Sequence, residues 1–209
     1  MQIGIDVRKA LKPLKRSLTD LQAKQVPFAT ASALTAVAKL AQAAEKDALH
    51  SIFDRPTPFT VSSIAVRPAR KTDLTAVVFV KDIAAQYLEP FEDGGRHFLG
   101  AKRALLGPRA QKTNQYGNLP RTTTARLRGK PNVFTGKIVT RSGKAISGIW
   151  QRGGPKAAKA GAMKLLIAFD DPQPVKQHLG FRARAERVVK ANIKREFRRA
   201  MASALASAR

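Results

Sequence analysis

The sequence contains no cysteine among its 209 residues. Disulfide bonds, thiolate catalysis and cysteine-ligated zinc are therefore excluded. No apolar run approaches the roughly 18 residues that a membrane span needs, and the N-terminal segment MQIGIDVRKALKPLKRSL lacks the apolar core of a signal peptide. These absences predict a protein that is made, and stays, on the cytoplasmic side of any membrane.

Negative charge is missing from a long stretch of the chain. No Asp or Glu occurs between Asp93 and Asp170, and residues 96–164 carry 16 of the 39 Lys and Arg side chains. The net charge is +25, so this third of the chain holds almost two thirds of the excess. Such an uneven distribution of charge gives information about binding partners rather than about the fold. Nucleic acid, an acidic protein surface and a solvated loop without a partner are all compatible with it.

Aromatic residues are sparse in the basic region. Residues 96–164 contain four large aromatic side chains, at Phe98, Tyr116, Phe134 and Trp150. Proteins that bind single strands usually interleave aromatic residues with cations so that bases can stack. No helix-turn-helix or zinc-finger signature occurs either. If DNA is a partner, the sequence supports only attraction to its phosphate backbone.

Motifs that carry chemistry are also missing. The histidines have no metal-ligand spacing and are predicted to be surface or packing residues: His50, His97 and His178. The segment GKIVTRSGKA imitates a phosphate-binding loop, but six residues rather than four separate Gly136 from Gly143. Ala145 replaces the hydroxyl residue that would hold magnesium, so we interpret the segment as a turn between strands. The sequence predicts no catalytic residue, no cofactor and no metal.

Acidic side chains cluster at two places. Glu89, Glu92 and Asp93 lie close together, and Asp170 precedes Asp171. Either group could in principle bind a divalent cation or act as an acid–base pair. Further oxygen ligands at regular spacing are absent, so turn chemistry around EDGG and DDP is the favoured interpretation.

Hydrophobic periodicity predicts long helices towards both ends of the chain. Apolar residues three or four apart indicate a helix over residues 27–53 that ends before Pro56 and Pro58. A shorter helix is predicted around residues 7–21. Residues 178–206 predict a helix with an apolar stripe along one side and basic residues on its other faces. That pattern also suits a helix on a membrane surface, but the interspersed Glu186 and Glu196 favour a helix packed on the core.

Strand signals lie between the helices. FTVSSIAVRP and LTAVVFVKD flank the basic turn ARKTD and predict a hairpin, and AISGIWQR and MKLLIAF predict two further strands. Residues 94–138 show no sustained period, with only RHFLGAKRALL hinting at a short helix. A loop of this length is usually functional or disordered until bound.

The predicted fold class is α+β, with long N-terminal and C-terminal helices on a small, mostly antiparallel sheet. We predict a single domain over residues 1–209, in which residues 96–144 are an extended basic loop insertion. The predicted core residues are Leu34, Val37, Ile64, Val78, Phe79, Leu166, Ile167, Val188, Ile193 and Phe197.

Several segments together resemble the phage minor tail protein Z family, the tail-completion or neck proteins of long-tailed bacteriophages and prophages. The first is VPFATASALTAVAKLAQAAEKDALHSIFDRPTPFTVSSIAVRPARKTDLTAVVFVKD, followed by YLEPFEDGGRHF, NQYGNLP, GIWQR and AERVVKANIKREFRRAMASALA. They occur in the expected order from about Pro27 to the C-terminus. The most specific are PFATASALT, FDRPTPFT and EDGG, none of which is a catalytic motif.

The resemblance implies a structural virion protein that completes the head-proximal end of the tail and supports head–tail joining. It implies a homo-oligomeric ring, with a hexamer favoured, in the neck of a virion assembled in the bacterial cytoplasm. Its neighbours would be a tail terminator and head-closure or connector proteins, with genomic double-stranded DNA passing through the channel and no membrane involved. The alternative is a nonspecific nucleic-acid-binding protein that acts through backbone charge contacts. A polynucleotide-modifying enzyme would need a metal site that the sequence does not display.

In this interpretation the acid-free segment either reaches the channel or contacts an acidic neighbouring ring. The predicted partner or DNA-path contacts are Arg96, Lys102, Arg103, Arg109, Arg121, Arg126, Arg128 and Lys130. Gly94 and Gly95 are the predicted hinge, because glycine allows backbone angles that a sharp exit from the core needs. The other interpretation of these two glycines is that they close a hairpin.

Overall fold

The computed structural model describes residues 1–6, 20–97, 105–140, 142–154, 162–171 and 173–207. The chain divides into two compact units. Unit 1 comprises Met1–Asp93 and Gln177–Arg209, and unit 2 comprises Gly94–Lys176. Unit 2 thus begins close to the start of the predicted insertion and continues well past its predicted end at residue 144.

Helices and strands are numbered in chain order across both units. Those of unit 1 are β1 (Gln2–Asp6), α1 (Asp20–Ile52), α2 (Pro58–Ser62), β2 (Ile64–Arg67), β3 (Thr75–Val80), α3 (Asp82–Asp93) and α5 (Phe181–Ala206). Those of unit 2 are β4 (Gly95–His97), β5 (Leu105–Pro108), α4 (Thr123–Arg128), β6 (Val133–Val139), β7 (Ala145–Arg152), β8 (Met163–Asp170) and β9 (Gln173–Val175). All strand pairs are antiparallel. The α+β class, with long helices towards both ends and small antiparallel sheets, is confirmed.

Unit 1 packs α1 and α5 together and against a three-stranded sheet of order β1-β3-β2. Its core includes Leu34 and Val37 of α1, Ile64 and Val78 of the sheet, and Phe181 at the start of α5. The small side chains Ala38 and Ala41 are fully buried on α1, as close helix packing requires. The predicted long helices are confirmed, and α1 begins seven residues earlier than residue 27.

The predicted core falls into two separate clusters. Leu34, Val37, Ile64 and Val78 belong to the unit 1 core, and Val188 and Ile193 pack against it half-buried. Phe79 and Phe197 are half-buried as well. Leu166 and Ile167 lie instead in a cluster of unit 2, with Leu127, Val133 and Ile149. Hydrophobicity identified buried side chains, but it carries no information on which of two cores receives them.

The predicted hairpin is confirmed, although its first strand begins later than expected. Ile64 pairs with Val80 across β2 and β3, whereas residues 58–62 are the helix α2. Thr57 caps this helix, because its Oγ1 accepts the N–H of Thr60 at 3.1 Å, and Pro58 suits the first helical turn. Local capping therefore outweighs the β-branched residues in this segment.

The contact between α3 and α5 joins the two parts of unit 1. Glu92 accepts the N–H groups of Phe181 at 2.7 Å and Arg182 at 3.0 Å, so it caps the first turn of α5. Asp93 pairs with the Arg182 side chain at 3.3 Å. The side chain of Gln177 donates to the Asp93 carbonyl at 2.8 Å. The residues where the chain leaves and re-enters unit 1 are therefore bound to each other.

Unit 2 is built on a four-stranded sheet of order β5-β8-β7-β6 and a two-stranded ribbon of β4 and β9. About half of the described part of residues 94–138, which were predicted as a long loop, lies in short strands and a helix. The loop prediction is therefore wrong for β4, β5, α4 and β6. The helix suggested within residues 96–106 is also wrong where described, because residues 96 and 97 lie in β4 and residues 105 and 106 in β5. Elements of three to seven residues are too short to show a sustained period.

Two further predictions from the sequence can be compared with the structure. The segment that imitates a phosphate-binding loop is a hairpin turn between β6 and β7, in which Thr140 N–H donates to Lys144 O at 2.9 Å. That interpretation is confirmed. Most of the helix predicted over residues 7–21 lies outside the described residues, and its described end belongs to α1.

Candidate basic interaction surface

The helix α4 covers one face of the unit 2 sheet with two inward side chains. Thr123 and Leu127 retain 1% and 3% of their accessible surface, and their four-residue spacing places them on the same face of the helix. Leu127 packs with Val133, Leu166 and the two isoleucines of this cluster. The helix is short, so its stability comes from this packing rather than from intrinsic propensity.

The basic side chains of this region point away from that packed face. Arg121, Arg126, Arg128 and Lys130 are all exposed, and none makes an ion pair within the described residues. We call these four residues the α4 cluster. The cations Arg126 and Arg128 lie in the last turn of α4, where positive charge complements the helix dipole. The sequence grouped the four as contact residues, and the structure places all of them on or beside one short helix.

The remaining predicted contact residues have different surroundings. Arg96 is exposed in the ribbon strand β4, opposite Pro174. Arg109 pairs with Asp170 at 3.3 Å, so part of its charge is matched within unit 2. Lys102 and Arg103 lie outside the described residues. The described members of the predicted set therefore differ in their surroundings, and their role as contacts stays a prediction.

The DDP segment supplies the acidic partner of Arg109. Asp170 is the last residue of β8, and a Cβ at Gly107 on the neighbouring strand would collide with its carboxylate. Arg109, Lys137, Lys144 and the two aspartates line a polar recess of about 460 Å³. Of the acid pair considered as a possible metal or acid–base site, Asp170 is therefore the residue that pairs with Arg109. Within the described residues no three His, Asp or Glu side chains come together to hold a metal.

Charge in unit 2 is exposed throughout its described part. Every described Lys and Arg from Arg96 to Lys176 is exposed, and the unit contains only two acidic residues, Asp170 and Asp171. The long cationic side chains extend into solvent while apolar residues occupy the cluster beneath α4. The excess positive charge of the sequence therefore lies at the surface of the described part of unit 2.

The predicted hinge residues lie at the boundary between the two units. Gly94 has a φ of 81° and Gly95 a φ of 123°, values that side-chain-bearing residues rarely adopt. Gly94 follows the last residue of α3, where a left-handed glycine commonly ends a helix. Both glycines thus use the backbone freedom on which the hinge interpretation was based, and the hinge itself stays a prediction. The hairpin interpretation is wrong, because a helix precedes these glycines and β4 pairs with the distant β9.

A basic groove in unit 1 was missed by the sequence analysis. Phe28, Lys39, Arg70 and Lys71 line it with Arg199, and it encloses about 660 Å³. The Lys71 ammonium lies 5.1 Å from the centre of the Phe28 ring, within cation–π range. The basic turn ARKTD was the available signal. Its proximity to α1 and α5 depends on tertiary packing and was not readable from the sequence.

The acids near EDGG also have a structural use. Glu92 caps α5 and Asp93 pairs with Arg182, so both are engaged in holding α5. The favoured turn interpretation is wrong at this position, since both residues end the helix α3. Among the histidines, His178 packs against the rings of Phe53 and Phe91, as a packing residue does.

Comparison with known proteins yields no relative: no protein-family model, no curated protein and no solved structure matches this chain. None of the described helices is long and apolar enough to span a bilayer.

Proposed function

We propose that this chain is a non-enzymatic structural subunit of a bacteriophage neck, which completes the head-proximal end of the tail. In this proposal it forms a ring, with a hexamer favoured, next to a tail terminator and head-closure or connector proteins. Genomic double-stranded DNA passes through the ring, and the mature protein resides in the virion. The ordered resemblance of five sequence segments to the minor tail protein Z family motivates the proposal.

The observation that carries the proposal is the α4 cluster. Two of these four exposed cations lie on a helix whose inward residues are buried and two lie beside it, in a unit with two acidic residues. A rigid cationic surface can contact an acidic face of a neighbouring ring or line a channel for DNA without reading base sequence. Both uses fit a neck subunit, and neither needs a reactive group.

A nonspecific DNA-binding protein is the second candidate, because every described cation of unit 2 is exposed. The two functions differ in what drives assembly. A neck subunit forms its ring through protein contacts, whereas a free-standing DNA-binding protein needs the polynucleotide and loses affinity steeply as salt rises.

Light scattering of the full chain distinguishes the two functions. Its mass is measured at about 50 mM and about 200 mM salt, with and without duplex DNA. For a neck subunit we expect a defined oligomer at the higher salt whose mass is unchanged by DNA. A monomer that enters salt-sensitive DNA complexes would instead support the second candidate and contradict the first.

The role of the α4 cluster is tested in a phage that carries this gene. Reversal of all four charges to Glu should block tail completion and reduce infectious particles by several orders of magnitude, whereas wild type supports joining. The matched control reverses Arg187, Lys190, Lys194 and Arg198, which are exposed on α5, and changes the net charge equally. Normal infectivity of the α4 variant would refute the assigned contacts.

A further inference from the structure

Within the described residues, the strand β6 pairs along one edge only. It is the last strand in the order β5-β8-β7-β6, so β7 occupies only one of its sides. Within this hairpin Arg152 N–H donates to Asn132 O at 2.8 Å and Thr140 N–H donates to Lys144 O at 2.9 Å. These two bonds determine which residues of β6 pair with β7, because hydrogen-bonded and non-hydrogen-bonded positions alternate in an antiparallel ladder.

The alternation directs the backbone groups of every second residue of β6 away from β7. Residues at even positions, such as Gly136 opposite Gly148, point their N–H and C=O towards β7. Residues at odd positions point outward, and the first of them, Val133, donates its N–H to Lys130 O at 3.0 Å. The other three are Thr135, Lys137 and Val139. Their side chains are exposed, with 66% of Val139 accessible. Within the described residues the sheet has no strand beyond β6.

The opposite edge of the sheet is less suited to receive a strand. The edge strand there, β5, has four residues and ends at Pro108, which has no N–H to donate. β6 has seven residues and no proline. Of the two sheet edges, the one formed by β6 is therefore better suited to receive an additional strand.

We propose that the free edge of β6 binds an extended acidic segment of a partner protein, which adds to the sheet as a fifth strand. Strand addition uses both N–H and C=O groups of the outward residues. DNA phosphates can accept from the N–H groups but leave the carbonyls unpaired, so this edge fits a polypeptide better than a nucleic acid.

Charge identifies the kind of polypeptide. Lys137 lies at the middle of the exposed edge, and a lysine there disfavours pairing with a second, similarly charged edge. A second copy of this chain would bring the same Lys137 and the same strongly basic unit to the contact. A partner strand with Asp or Glu side chains would instead be attracted to Lys137 and to the α4 cluster nearby in sequence. This inference does not rest on the proposed neck function.

Two synthetic peptides test strand addition on the full chain. One is a decapeptide that alternates Glu with Val and Thr, and the other has the same sequence with alternate amide nitrogens methylated. We expect the first to bind and to protect the amides of Thr135, Lys137 and Val139 from hydrogen exchange. Methylation keeps the charge but removes donors, so affinity should fall at least about tenfold. Equal affinity of the two peptides would overturn the proposal.

A change in the protein gives an independent test. Thr135→Pro removes an outward N–H that β7 does not use, and Thr135→Val keeps it. We expect the proline variant to bind the acidic peptide at least about tenfold more weakly and the valine variant to bind within about twofold of wild type. If the proline variant fails to fold, the methylated peptide still decides the matter on wild-type protein. Protection of the same three amides by duplex DNA, in place of the peptide, would assign the edge to nucleic acid and refute the proposal.

Discussion

A buried ion pair joins the two long helices of unit 1. The Arg184 guanidinium donates to Glu45 Oε2 at 2.5 Å and to the Leu179 carbonyl at 2.6 Å. Glu45 retains 1% of its accessible surface, and its other oxygen has no partner within the described residues. Burial raises the pKa of Glu45 to about 7, while Arg184 acts to lower it and Glu92 adds to the rise. Such a pair costs desolvation energy that its attraction only partly offsets.

The raised pKa of Glu45 makes stability depend on pH. The folded carboxyl holds its proton up to about pH 7, whereas the unfolded one loses it near 4.5. Its contribution to the free energy of unfolding is therefore complete below pH 4.5 and is lost as pH rises through about 7. We expect wild type to lose on the order of 3 kcal/mol more than Glu45→Gln between about pH 5 and pH 8.

Urea unfolding at a series of pH values measures this difference. Glu186→Gln is the control, because Glu186 is exposed on α5 and pairs only with Lys190 at the surface. That variant should follow the wild-type pH dependence. A difference between wild type and Glu45→Gln that stays constant with pH would contradict the assigned titration.

Two facing glycines in the unit 2 sheet have opposite tolerance for a side chain. Gly148 and Gly136 pair across β7 and β6. A Cβ at Gly148 would collide with the Ile167 carbonyl and approach Leu165 Cδ1 to 2.8 Å, whereas one at Gly136 would meet the Phe134 ring at an ordinary 3.5 Å. We expect Gly148→Ala to destabilise the protein by about 2 kcal/mol or more and Gly136→Ala by less than about 1. Equal unfolding temperatures of the two variants would show that β7 and β8 can shift apart to accept a side chain at Gly148.

At the scale of elements, the start of α5 depends on a residue from another helix. Gly180, which precedes α5, makes no side-chain cap, and Glu92 of α3 supplies the acceptors for two N–H groups. A carboxylate at this end also interacts favourably with the helix dipole. The cap therefore connects residues 89 and 90 positions apart in the sequence, and no local motif could have indicated it.

Loss of this cap should have a measurable cost. We expect Glu92→Ala to lower the free energy of unfolding by about 1–2 kcal/mol, since two charge-assisted hydrogen bonds are lost. Glu89→Ala removes an exposed carboxylate from the same helix and should change stability by no more than about 0.5 kcal/mol. Chemical denaturation at neutral pH compares them. Indistinguishable variants would mean that solvent replaces Glu92 at the helix end.

Short elements account for most of the differences between expectation and structure. The α4 segment TTARLR is six residues long, and only Leu127 signals an apolar face. β1 was not expected, and its pairing with β3 depends on residues 69 to 77 positions away. By contrast, α1 and α5 are long enough for their apolar stripes to repeat many times. Length of the repeat, rather than local composition, decided which elements were predictable.

At the scale of the molecule, charge is divided unevenly between the units. Unit 2 holds the acid-free stretch, and its described cations are exposed, so the chain must attract phosphates at low salt whatever its function. We expect affinity for duplex DNA to fall steeply between about 50 mM and 200 mM salt. Replacement of the α4 cluster by four Gln residues should reduce the log–log slope by about 3 to 4 if all four contact phosphates.

Fluorescence anisotropy with a labelled duplex gives these slopes. The comparison protein carries Gln at Arg187, Lys190, Lys194 and Arg198 of α5, so both variants lose the same charge. A similar slope change in both would mean that total charge, and not the α4 cluster, governs DNA attraction. An unchanged slope for the α4 variant would mean that the α4 cluster does not contact DNA phosphates and would favour a role in protein contacts.

The sequence alone determined the α+β class, the two long helices, the β2–β3 hairpin, the two later strands β7 and β8, and the concentration of positive charge in one region. These follow from periodicity, β-propensity and counting, which act over neighbouring residues. Tertiary structure decided that the basic region contains a folded sheet and a helix, and that burial of Leu127 fixes α4 with Arg126 and Arg128 exposed. It also decided that Glu92 caps α5 and that, within the described residues, β6 pairs along one edge only. Each of these depends on contacts between residues distant in the chain, and local sequence patterns carry no record of such pairings.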